Sequence, residues 1–94
     1  MSEDLKPQRM IYKYQITDSL NEIVMPKGAH VLSFQYRAQD QMFVLWALID
    51  PTVQLETRKF HMVMTGEQFD HQPNYKYIET TQAGPIVAHL FEVQ

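Results

Sequence analysis

Seven short segments of this chain have the pattern of extended strands, most of them mixing apolar and polar residues with a period of two, and residues that favour turns separate them. A period of two sends successive side chains to opposite faces of an extended backbone, so such segments bury one face and wet the other. MIYKYQI (10–16) sets Tyr12, Tyr14 and Ile16 against Lys13 and Gln15, and HVLSFQYR (30–37) sets His30, Leu32, Phe34 and Tyr36 against Val31, Ser33, Gln35 and Arg37. RKFHMVM (58–64) sets Phe60, Met62 and Met64 against Lys59, His61 and Val63. MFVLWALI (42–49) is apolar on both faces, the mark of a strand in the middle of a sheet. NEIVM (21–25), YKYIETT (75–81) and IVAHLFEV (86–93) complete the set, although LNEIVM would also fit one helical turn.

The punctuation fits the same reading. TDSLN, PKGA, AQDQ and QAGP carry the Asp, Asn, Ser, Gly and Pro that close turns. Asp50-Pro51 ends the apolar strand, because proline lacks the N–H a ladder needs, and DPTVQLET (50–57) is the longest expected loop. EQFDHQPN (67–74) is a second, polar connection. No segment carries an extended 3.6-residue stripe, so the expectation is an all-β domain: a small antiparallel sandwich or barrel of about seven short strands with little helix. Residues 1–9 are polar, include Pro7, and are expected to be a flexible lead-in to a single domain over 10–94.

Composition removes several classes of function. The chain has 94 residues, enough for one small domain, and no cysteine, which excludes a disulfide framework, a Cys-type zinc site and a thiol nucleophile. A formal net charge of -3 disfavours a general binder of nucleic-acid backbones. No apolar run approaches the roughly 20 residues that span a bilayer, and the N-terminus carries no secretory h-region, so the expected location is cytoplasmic. A core this small leaves large side chains poorly hidden, and unpaired strand edges offer a place to hide them in a homo-oligomer.

The four histidines, His30, His61, His71 and His89, show no metal-ligand spacing. The first, second and last are expected on strands with a ring nitrogen on a backbone or carboxylate group, and His71 in solvent. Ser2, Ser19 and Ser33 lie in no nucleophile elbow. Asp40, Asp50, Glu56, Glu67, Asp70, Glu79 and Glu92 fall mostly in expected loops, where carboxylates solubilise rather than react. Gly28, Gly66 and Gly84 are isolated, so no phosphate-cradling loop exists. The chain is expected to be no enzyme, unless a site is built at an oligomer interface, and to need no cofactor or metal.

The remaining chemistry is a mixture of cations and aromatics: Arg37, Arg58, Lys59, His61, Lys76 and His89 beside Tyr12, Tyr14, Tyr36, Trp46, Tyr75 and Tyr77. Aromatic rings stack on bases and cations neutralise phosphate, so these residues could hold a small nucleotide; the same mixture also suits a solvated sheet face. Trp46, in the most apolar segment, also fits the core.

IYKYQI, MPKGAHVLSFQ, LWALIDP, KFHMVMTGEQF, YIETTQ and HLFEVQ, in this order from Ile11 to the C-terminus, resemble a family of small, uncharacterised proteins of tailed bacteriophages and prophages, a domain of unknown function. Where members carry a TGH-like turn, this chain has Thr65-Gly66-Glu67. The resemblance brings no catalytic residues. It implies a phage product in the host cytoplasm, and with it an anti-defence role: a sponge that sequesters a cyclic or ADP-ribose-derived nucleotide signal of the Thoeris or CBASS type. A protein-binding inhibitor or accessory factor that blocks a host defence protein through a strand edge or aromatic patch is the alternative, and a small virion or morphogenesis component the third.

Overall fold

The computed structural model describes residues 8–94, and the expected lead-in lies outside them for residues 1–7. Seven strands follow in chain order: β1 (Met10–Ile16), β2 (Leu20–Pro26), β3 (His30–Arg37), β4 (Met42–Ile49), β5 (Leu55–Met64), β6 (Tyr75–Ala83) and β7 (Ile86–Val93). They form two antiparallel sheets, β1-β4-β3 and β2-β5-β7-β6. LNEIVM is strand, and the described residues contain no helix. MFVLWALI is the central strand of the first sheet, as its two apolar faces require.

The inner faces of both sheets share one core. Ile16, Phe34, Leu45, Ala47 and Ile49 of the first sheet pack with Met25, Phe60, Met62, Ala88 and Leu90 of the second. Phe34, Leu45, Phe60 and Leu90 are wholly buried; removing each from water contributes about 2–3 kcal/mol. Asn21 staples the turn from β1 to β2: its Oδ1 accepts from Thr17 N at 3.1 Å and Asp18 N at 3.0 Å, and its Nδ2 donates to Asp18 O at 2.7 Å.

Two bulges shape the side where the sheets adjoin. In β3 the register shifts between Val31 and Ser33, so Val31 faces Ala47 and packs against the core while Ser33 faces Trp46 outside. Simple alternation placed Val31 with Ser33; the extra residue, Leu32, reverses it. In β6 the shift falls between Tyr77 and Glu79. Beyond it, Glu79 Oε1 accepts from Phe34 N at 2.9 Å and Thr81 Oγ1 from Tyr36 N at 3.2 Å. Side chains of β6 therefore take backbone donors along the β3 edge, and the sheets join without a ladder between them.

Two further expectations are corrected. The loop after Asp50-Pro51 is shorter than 50–57, because β5 begins at Leu55 where Pro26 and Met25 of β2 pair with Leu55 and Glu56. Glu56 is thus a strand residue. Trp46 is only partly buried: it lies on the face of the first sheet away from the core, and its Nε1 donates to Gln35 Oε1 at 3.1 Å.

Candidate functional site on the outer face of the second sheet

Alternation on β5 and β7 sends Phe60, Met62, Leu90 and Glu92 inward and His61, Val63, His89 and Phe91 outward. The register then aligns the outward residues in rows. Leu20, His61, Phe91 and Tyr77 form one row, with Glu22, Lys59, Val93 and Tyr75 beside it on one side and Val63, His89 and Thr80 on the other. The β5–β6 connection folds back over these rows. Phe69, the one aromatic of its polar stretch, packs 5.5 Å from Phe91, 5.7 Å from His61 and 6.3 Å from Tyr75, measured between ring centroids. His71 joins the cluster edge-on against Phe69, Tyr75 and Phe91, so its ring is packed on one side although the residue is exposed. Under this cover His61 is buried, with Nδ1 2.9 Å from the Tyr75 hydroxyl.

A groove of about 280 Å³ opens beside the cluster, lined by Val63, Met64, Phe69, Tyr77, His89 and Phe91 and closed by the Thr65–Glu67 turn. A hydrogen-bonded chain borders it: the Tyr77 hydroxyl lies 2.6 Å from Thr80 Oγ1, which lies 2.8 Å from His89 Nδ1, and His89 Nε2 lies 2.7 Å from Thr65 Oγ1. Thr65 donates its proton to Val87 O at 3.3 Å. That direction makes one consistent chain for a neutral imidazole protonated on Nε2: His89 donates to Thr65, Thr80 donates to His89, and Tyr77 donates to Thr80. The partners of His61 and His89 are hydroxyls, not the backbone or carboxylate groups expected: Tyr75 reaches His61 from the neighbouring row on β6, and Thr80 stands opposite His89 with Thr65 on its other side.

A second, more polar region lies at one end of the interior. Arg58 donates from Nε and Nη2 to the two carboxylate oxygens of Glu92, at 2.7 and 2.8 Å, and from Nη1 to Ala29 O. The bidentate bonds to Glu92 hold the guanidinium pKa above its ordinary value against the opposing effect of burial. Tyr14 faces the same end. Burial, then the neighbouring Tyr12, raise its phenol pKa, and Arg58 pulls it back. Hollows of about 710 and 210 Å³ share Ala29, Arg58 and Glu92; Lys59 lines the larger and Lys76 the smaller.

The twelve cationic and aromatic candidates thus occupy separate places. His61, His89, Tyr75, Tyr77 and Lys59 share the outer face of the second sheet. Arg58, Lys76, Tyr12 and Tyr14 belong to the inner side, with the Tyr12 and Tyr14 rings 5.1 Å apart. Arg37 pairs with Asp40 at 3.0 Å beside the β3–β4 turn, Tyr36 packs 5.0 Å from Phe43, and Trp46 is on the far face of the first sheet. Phe69, Phe91, Thr65 and Thr80 complete the groove region without having been singled out. Phe91 was legible, since it alternates in step with His89; Phe69 stood out only as an aromatic in a polar loop, and the threonines carried no signal. Among the described residues, no group of three or more His, Asp or Glu is placed to hold a metal ion, and no helix is long and apolar enough to cross a membrane.

A family model described as a domain of unknown function, DUF7352, matches residues 7–94. The chain belongs to that family. Neither a curated protein nor a solved structure matches it. The DUF7352 match spans all seven strands, and so includes the groove, the aromatic cluster and the Arg58–Glu92 end.

Proposed function

We propose that this DUF7352 protein is a non-enzymatic binding protein of phage origin that sequesters a nucleotide-derived immune signal of the Thoeris or CBASS type in the host cytoplasm. The observation that carries the reading is the groove beside Phe69, Tyr77 and Phe91, mostly apolar in its lining and bordered by the Tyr77–Thr80–His89 hydrogen bonds. Small-ligand sites have this make-up: mostly apolar walls and a few fixed hydrogen-bonding groups. A base would lie against these rings, in the groove of about 280 Å³. With Tyr77 donating to Thr80, its oxygen keeps a lone pair for an exocyclic amino group. Both nitrogens of His89 are engaged, which suits a ring that positions Tyr77 better than a general base. Sequestration then works by mass action and requires a dissociation constant below the cellular concentration of the signal.

Calorimetric titration with ADP-ribose and with cyclic dinucleotides tests this. Micromolar or tighter binding is expected, weakened about tenfold in Tyr77→Phe, the loss of roughly one hydrogen bond. Absence of binding to every nucleotide at millimolar concentration overturns the reading.

A protein-binding inhibitor is the second reading, and one observation favours it: Leu20, Val24 and Leu55 are more than half exposed at β2 and the start of β5. Retention of one host protein, abolished by Val24→Lys and unaffected by Tyr77→Phe, would replace the first reading with this one.

A further inference from the structure

The two edges of the first sheet are finished differently. Along β3, Glu79 and Thr81 take the Phe34 and Tyr36 N–H groups. Along β1, backbone pairing runs to β4 on one side, and among the described residues no hydrogen bond meets the other side. Met10, Ile11 and Tyr12 are 45, 60 and 50% exposed, and Lys13 is the single charge of the strand. Soluble proteins usually guard such an edge with charges, proline or a bulge, and β1 has neither a proline nor a bulge.

We propose that the β1 edge pairs antiparallel with β1 of a second copy of this chain, about a two-fold axis at Tyr12. Such an axis keeps the inner faces of both copies on one side of a continuous six-stranded sheet only if it passes through a residue, since directly opposed residues share a face. Charge and geometry then select the residue. An axis at Lys13 sets Lys13 against Lys13, and one at Ile11 sets Arg9 against Lys13, both like-charge pairs. At Tyr14 the Thr17–Ser19 turn, which leaves for the other sheet, falls opposite the partner's edge. At Tyr12, Ile11 opposes Lys13, Met10 opposes Tyr14 and Arg9 opposes Gln15. Among the described residues no like charges meet, and the most exposed apolar residues of the strand lie at the centre. The Tyr12 rings meet at the axis, extending the Tyr12–Tyr14 pair into a four-ring ladder. A seam of this length buries less than the roughly 1,600 Å² of a standard interface, so a micromolar dimer is expected.

The test is sedimentation equilibrium at about 100 µM chain and low salt, where charge pairs are weakly screened. Ile11 is exposed, so its substitutions leave the core intact, which circular dichroism checks. The wild type is expected to sediment at twice the chain mass. Ile11→Lys places like charges opposite each other twice across the axis and is expected to weaken the dimer by about tenfold or more. Ile11→Glu, facing Lys13, is expected to keep or tighten it, and Ile11→Lys with Lys13→Glu to restore it. A monomeric wild type overturns the proposal, as does an oligomer indifferent to the sign of the charge at residue 11.

Discussion

The inner and outer faces of the second sheet share β5 and β7, with β6 adding Tyr75 and Tyr77 outside, and handle polar groups in opposite ways. Inside, Arg58 and Glu92 are withdrawn from water and consume each other's charge; their side chains are 16 and 9% exposed. Outside, His61 and Tyr75 share a hydrogen bond under an aromatic cover, and His89 and Tyr77, linked through Thr80, border a groove. A cation already spent on a bidentate partner is a poor phosphate receptor, whereas a hydroxyl that ends a chain of hydrogen bonds still has a lone pair to offer. If the proposed function holds, charge alone marks the wrong face as the binding surface.

The largest test of that contrast breaks the inner pair. Glu92→Ala leaves Arg58 buried without its carboxylate and is expected to cost about 3 kcal/mol in urea unfolding, while Arg58→Met with Glu92→Leu returns to within about 1 kcal/mol of the wild type. A single mutant as stable as the double would remove the distinction. Next, Phe69→Ala strips the cover from His61 and one wall of the groove. A loss of about 1–2 kcal/mol is expected, smaller than for a fully buried phenylalanine because Phe69 is half-buried, together with lost nucleotide binding. Unchanged binding would detach the groove from the function. The smallest effect is in pH. Because the folded-state pKa of Tyr14 is raised, its contribution is complete below the unfolded value near 10 and is lost as pH rises through the folded value. Thermal melts above pH 10 should fall less steeply for Tyr14→Phe, and identical slopes would show that this end of the interior does not sense the phenol.

Alternation made most of the strands legible, since burying one face of an extended chain demands a period of two. It misled where one residue is inserted. Val31, read with Ser33, turns inward because of the Leu32 bulge; on β6, where no faces were read, the shift at Ile78 turns Glu79 inward and brings Thr80 to His89. Glu56 was read as a loop residue because Asp50-Pro51 signals where a strand stops and carries no information on where β5 resumes.

What the sequence by itself determined is the class of fold, the central place of MFVLWALI and the sides taken by Phe60, Met62, His61 and Lys59, all consequences of local backbone geometry. Tertiary structure alone decided that Arg58 meets Glu92 across 34 positions, that Phe69 folds back onto Phe91, and that the β3 edge is covered while β1 is not. Those pairings depend on which strands become neighbours and in what register, and a period of two is the same for every neighbour and every even shift.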